Sequence, residues 1–252
     1  MSASERRPAE APVNPRSAGQ VIPRPVDCVP GDPPPWAVIP PAARAVDLDR
    51  VRRALAGRVG VASAAESDGR SHGSAVLAVL YPTAADGRGD VHVLLTRRAA
   101  AMRAHSGEMS FPGGRMEAGE TAVEAALREA HEEVALDPAD VEAVGELDHL
   151  WTVTSGAFIV PIVAVLPAAP EGLVAHPAEV EVIRSVPLDE LLRDGTYHEE
   201  RWRFPVGSAW PGGLLPIHFF ALDGDTVWGA TAAMLRQLLA LVLGVPPTST
   251  LP

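Results

Sequence analysis

Ser110-Phe-Pro-Gly-Gly-Arg-Met-Glu-Ala-Gly-Glu-Thr-Ala-Val-Glu-Ala-Ala-Leu-Arg-Glu-Ala-His-Glu-Glu-Val-Ala-Leu136 changes character once along its length. Its first part, with Pro112, Gly113, Gly114 and Gly119, has the turn chemistry of a loop. Its second part has the composition of a helix. Thr121 followed by Glu124 is a capping box: the hydroxyl accepts from one free amide at the helix start, and the carboxylate reaches back to another. The helix is therefore predicted to begin at about Ala122. Within it Val123, Ala126, Leu127, Ala130 and Val134 recur at spacings of three and four, an apolar stripe able to pack on a sheet.

Glu129, Glu132 and Glu133 lie on a different flank. At about 100° per residue they share one sector, so their oxygens can converge on a small volume. Three carboxylates held that closely repel one another, and helix stability alone does not recommend the arrangement. Hard divalent cations resolve the conflict, because Mg²⁺ takes carboxylate and water oxygens and binds together with substrate phosphates. Three glutamates taken alone also fit a solvated acidic face on a surface helix.

Outward from this stretch, Ala75 to Tyr81 and Asp90 to Thr96 are β-prone runs separated by a Pro-, Gly- and Asp-containing loop, which predicts two paired strands. Further strands are expected at Val144 to Thr152, Ala157 to Val165, Val180 to Val186, Trp202 to Pro205 and Ile217 to Leu222. Helices are expected over Asp47 to Gly60, where Leu48, Val51 and Leu55 share a face, and over Gly229 to Leu243. Helices flanking short strands predict an α/β protein, a mixed sheet with helices on its faces, folded as one domain. Residues 1 to about 40 are Pro-rich without periodicity and read as a flexible arm, with a partner-binding segment as the alternative. The folded domain is expected over 41–246, with a short tail at 247–252.

The formal net charge of −11 argues against a protein whose main task is gripping nucleic acid. A polyanionic substrate would need local help from cations and arginines. Cys28 is the only cysteine, so no internal disulfide can form and a reducing compartment, the cytoplasm, is expected. Its Pro-rich setting makes it a poor candidate nucleophile. No secretory signal or membrane span is predicted.

The pattern Gly114, five residues, Glu120, seven residues, Arg128-Glu129, two residues, Glu132-Glu133 resembles the Nudix box, the loop–helix motif of Nudix hydrolases. That resemblance implies an α/β/α sandwich and metal-dependent hydrolysis of a nucleoside diphosphate linked to another group, with Mg²⁺ or Mn²⁺. It makes Glu129 and Glu133 the principal metal ligands and Glu132 a third ligand or the general base, so that Glu129 and Glu132 carry the chemistry. The Gly113 carbonyl is a further candidate ligand. Gly114, Glu120 and Arg128 would support the site, the last two as an ion pair. Ala130 and Ala135 depart from the pattern, which has a bulky aliphatic residue and a glycine there. Ala in a left-handed helix end would cost on the order of 1 kcal/mol.

Immediately before the box, Leu94-Leu95-Thr96, Arg98-Ala99, Arg103, Gly107 and Phe111-Pro112-Gly113-Gly114 resemble the second signature of the coenzyme A pyrophosphatase branch of that family. This implies a small-molecule substrate, coenzyme A or a thioester, cleaved to 3',5'-ADP and 4'-phosphopantetheine or its acyl form. Such a substrate carries a diphosphate and a 3'-phosphate. Arg98 and Arg103 are candidates for bidentate phosphate contacts and His105 for a further donor; surface ion pairs and a structural hydrogen bond are the plainer alternatives. Glu179 and Glu181 are candidate bases from outside the box, or else the solvated end of a strand. Another nucleoside diphosphate substrate (ADP-ribose, a dinucleotide or a nucleoside triphosphate) and a non-catalytic binding protein stay open, as does a homodimer.

Overall fold

A computed structural model describes residue 20 and residues 22–62, 73–84, 89–99, 107–152, 158–203 and 213–247. Its elements run β1 (Val29–Pro30), α1 (Leu48–Leu55), β2 (Gly73–Pro82), β3 (Val91–Arg98), β4 (Met109–Ser110), β5 (Gly113–Arg115), α2 (Ala122–Val134), β6 (Glu142–Glu146), β7 (Leu150–Trp151), β8 (Phe158–Val165), β9 (Val180–Pro187), α3 (Leu188–Leu192), β10 (Tyr197–Arg203), β11 (Leu214–Leu222), β12 (Asp225–Trp228) and α4 (Gly229–Leu243). Short 3₁₀ turns at Pro35–Val38, Pro41–Ala43 and Pro138–Asp140 complete the list.

The larger sheet has eight strands with the path β4-β3-β2-β8-β6, while β5 pairs with β2, β7 with β8 and β9 with β3. It is mixed, because β2 and β8 run parallel and the other pairs antiparallel. Alternation along these strands gives each face its own core. Ala75, Leu77, Val79 and Leu94 meet the α2 stripe of Ala125, Ala126, Ala130 and Val134. Ala78, Leu80, Val93 and Leu95 face the other way, onto α1, α4 and the second sheet. That second sheet has four strands in the order β1-β10-β11-β12. The expected α/β sandwich with a mixed sheet is thus the architecture present.

The helix starts follow local chemistry. Asp47 accepts from the Arg50 amide and caps α1, which stops at Leu55, short of the expected Gly60. Ala56 and Gly57 end it, Gly57 taking a positive φ. The chain beyond runs beside the end of β6, the Glu146 amide donating to Arg58 O and the His149 amide to Val61 O. The expected strand over Val144 to Thr152 is two short strands on β8: Leu147 still bonds Pro161 O in the β6 register, but Pro161 has no amide to return the bond, and β7 resumes shifted by one residue at Leu150–Ile159. β10 starts at Tyr197 rather than Trp202: its Tyr-His-Glu-Glu-Arg run looks polar but is largely buried between neighbours. Ala157, Phe204 and Pro205 lie outside the described residues.

The Pro-rich stretch needs the largest correction. Residues 22–40 lie on the domain instead of forming an arm up to residue 40. Trp36 is 1% exposed, stacked on Phe220 and edge-on to Tyr197. Val29 and Pro30 pair with Arg201 and Glu200, and Arg24 lies over the Phe219 ring. Proline erases periodicity without preventing an extended chain from lying along a sheet. No helix among the described residues is long and apolar enough to cross a membrane.

Candidate active site

The loop between β4 and α2 is stitched to the sheet before it reaches the helix. The Leu77 amide donates to Pro112 O, and Gly113 and Gly114 pair with Val76 and Ala75. Gly113 is required by space, and Gly114 by the present position of the Glu129 carboxylate. At Gly113, with φ +154°, an added Cβ would stand 2.4 Å from Ala75 O; at Gly114 it would stand 2.5 Å from a Glu129 carboxylate oxygen. The backbone at Gly114 therefore serves as the floor on which the Glu129 carboxylate rests. The Gly113 amide donates to Glu133 Oε2 at 3.3 Å.

Thr121 and Glu124 form the full capping box, so α2 starts at Ala122 and the phases of its side chains are set. Arg128 donates twice to the Glu120 carboxylate, at 2.9 and 3.1 Å, and once each to Arg115 O and Glu129 Oε1. This two-bond pair ties the loop to the helix. The Glu120 and Glu129 hydrogen bonds raise the guanidinium pKa above its ordinary value, and the Arg128 bond lowers that of the half-buried Glu120 carboxyl.

The three box glutamates do not converge as a set. Glu129 and Glu133 sit against the glycine turn, while Glu132, 59% exposed, leans toward Arg128 at 3.4 Å. Among the described residues no three acidic, histidine or cysteine side chains are grouped so as to hold an ion. Mutual repulsion explains the spread, with Arg128 bonding Glu129 and drawing Glu132 aside.

Burial pushes the Glu133 carboxyl up to about 7; the Gly113 amide and Arg98 hold it down, while Glu179 and Glu129 push it further up. Glu129 is raised by burial, against Arg128, with Glu132 and Glu179 adding to the rise. The charge of Glu179 thus acts on both carboxylates without the three forming one close group. Its backbone is held by two bonds, Ala99 N to Glu179 O and Glu179 N to His176 O, while His176 N donates to Glu133 O at the end of α2. Glu181 faces elsewhere, 3.8 Å from Arg97. Arg98 ends β3 on the α2 side of the sheet, and its buried Nε has no hydrogen-bond partner among the described residues. Arg103 and His105 lie outside the described residues.

A hard divalent cation fits this donor set. Carboxylate oxygens predominate, their charge exceeds that of Arg98 and Arg128, and the burial that raises Glu133 leaves its charged form in want of a cation.

Comparison with known proteins agrees with the motif. The NUDIX domain family model matches residues 71–205. "Uncharacterized Nudix hydrolase NudL" of Citrobacter koseri is 38% identical over 173 residues, 68% of this chain and 83% of that protein. "Nudix hydrolase 3" of Caenorhabditis elegans is 33% identical over 183 residues, 68% of this chain and 75% of that one. Among solved structures, the M. smegmatis Nudix hydrolase RenU aligns with a TM-score of 0.38 and 26% identity, over 48% of this chain and 73% of that one. The chain belongs to the Nudix hydrolase family. Activity at the family level is hydrolysis of a nucleoside diphosphate derivative, and these hydrolases generally use divalent metal ions.

Nothing in the local sequence pattern singles out Arg97, Arg184 or Asp225, which form an ion cluster around the buried Asp225 carboxylate behind the site. The turn at Asp223-Gly224 was the available signal, since it marks a hairpin whose second strand starts at Asp225.

Proposed function

We propose that this protein hydrolyses the diphosphate of coenzyme A or its thioesters, releasing 3',5'-ADP and (acyl-)4'-phosphopantetheine. The observation that carries the reading is the buried Glu133 carboxyl, held under the Gly113–Gly114 turn within the fields of Arg98, Glu179 and Glu129. Such a site gathers excess negative charge where a phosphate-bound cation can use it. Glu129 and Glu133 are the residues that would hold Mg²⁺ or Mn²⁺, with the Gly113 carbonyl as a candidate third donor. A divalent ion supplies phosphate neutralisation and a lowered pKa for water.

The other roles belong to the chain's own groups. Arg98 offers an unpartnered guanidinium nitrogen to a phosphate oxygen. The water oxygen attacks one phosphorus, the bridging P–O bond breaks, and a carboxylate takes the water proton. Glu179, whose charge acts on both ligand candidates, suits that last role better than Glu132, which is turned toward Arg128. Glu120 and Arg128 keep loop and helix in register. The signature around Arg98 supports coenzyme A in particular: Gly107, with φ +71°, closes the loop after β3 by donating to Arg98 O.

Product analysis after incubation with coenzyme A and Mg²⁺ tests the substrate, with ADP-ribose, a dinucleotide and a nucleoside triphosphate assayed beside it. Appearance of 3',5'-ADP supports the proposal; turnover of one of the others alone moves the substrate assignment within the family. Glu133→Gln is expected to lower kcat by about 100-fold or more with an unchanged melting temperature. Full turnover of that variant at saturating Mg²⁺ would remove Glu133 from the site.

A further inference from the structure

Arg97 and Arg98 are consecutive on β3, so their side chains leave opposite faces of the sheet. Arg98 goes to the α2 side and the carboxylates. Arg97 goes to the other side, where its Nε and Nη2 donate to Asp225 Oδ1 at 3.0 and 2.5 Å. Asp225 opens β12 of the second sheet and has a side chain 5% exposed. Its other oxygen is 3.3 Å from Arg184 Nε, and Arg184 also donates to Asp223 O. Arg184 belongs to β9, opposite Leu95 of β3. One buried carboxylate thus hydrogen-bonds β3 through Arg97 and is ion-paired with β9 through Arg184, its Oδ2 accepting no hydrogen bond among the described residues.

This link lies beside a break in their pairing. Arg97 pairs with Val182 but Arg98 with Val180, so Glu181 is an extra residue, a bulge in β9. The bulge returns Val180 to the α2 face beside Arg98 and lets Glu181 turn back toward Arg97. Just beyond it, Ala99 N bonds Glu179 O, which fixes the backbone from which the Glu179 charge acts on Glu129 and Glu133. The aim of Arg98 and Glu179 therefore depends on the bulge keeping its place, and Asp225 is the buried charge that fixes the two strands next to it.

We infer that Asp225 is a positioning residue for the diphosphate site: through Arg97 and Arg184 it locks the β3–β9 bulge that aims Arg98 at the phosphate. The inference rests on the proposed phosphate role of Arg98. It links the second sheet to the chemistry, because a hairpin that touches no substrate sets the direction of a side chain that does.

A double-mutant cycle in the full-length chain tests it, using Asp225→Asn, Arg98→Ala and the double variant. The readouts are kcat/KM on coenzyme A with Mg²⁺ and affinity for 3',5'-ADP without metal. Expected is a loss of about 10-fold or more for Asp225→Asn in the parent chain, and less than about 2-fold on top of Arg98→Ala. Equal losses in both backgrounds, or none in either, would overturn the inference. Should Asp225→Asn fail to fold, Arg97→Lys, which keeps one bond to Asp225, replaces it in the same cycle with the same criterion. If coenzyme A is not cleaved but another diphosphate is, the substrate assignment falls and the cycle is run on the substrate that turns over. A chain that cleaves no diphosphate removes the functional reading and this inference with it.

Discussion

Gly114 shows how far a single residue constrains the site. A methyl group there would overlap the Glu129 carboxylate, and neither the sheet pairing behind it nor the helix in front can withdraw. Gly114→Ala is therefore expected to displace Glu129 and lower kcat by about 10-fold or more with little change in melting temperature. Steady-state kinetics beside a thermal melt check this; unchanged kcat would mean that Glu129 does not work from the position it occupies. The identity of this residue was legible in the sequence through the box spacing. Its reason was not, since the close approach of Glu129 is a contact between loop and helix.

At the level of elements, α2 is the part the sequence specifies best. Its cap, its stripe and its start at Ala122 follow from spacings within one helix. Its end carries a visible fault: Ala135 is in the left-handed region, with φ 56° and ψ 30°. Ala135→Gly is expected to stabilise the fold by about 0.5–1 kcal/mol, read as a higher urea midpoint at unchanged m-value. A lower midpoint would show that the helix end tolerates Ala at no cost. Shorter elements were less legible. α3, β12 and the two-residue strands are too brief to show a period, and β10 hides its strand character because buried Glu199 and Glu200 are partnered by distant residues.

Over the whole molecule, the second sheet buries polar groups that only tertiary partners can satisfy. Tyr197 Oη and His218 Nδ1 are 2.8 Å apart in the interior, with Glu199 3.6 Å from the same ring nitrogen. Burial, and secondarily the nearby Arg236 charge, pushes the His218 imidazole down to about 3. In the unfolded chain it titrates near its ordinary value of about 6.5. Between those values the unfolded state binds a proton that the folded state refuses, so stability falls as pH drops from about 6.5 toward 3 and is flat above. By pH 5 this group alone should cost about 2 kcal/mol relative to pH 7.5. Urea unfolding of the wild type and His218→Gln at both pH values checks it: the variant should lose that share of the pH dependence, and identical slopes would contradict it.

By itself the sequence determined the loop–helix unit with its acids, the longer strands and the terminal helix, because each rests on a period or cap within a few neighbouring residues. The tertiary structure alone decided that Glu132 turns toward Arg128 while the charge of Glu179 acts on Glu129 and Glu133, and that Trp36 anchors a Pro-rich segment in the core. It also decided that Arg97 reaches Asp225, 128 residues away. Which side chains meet across such separations depends on the path of the chain between them, and no local pattern encodes that path.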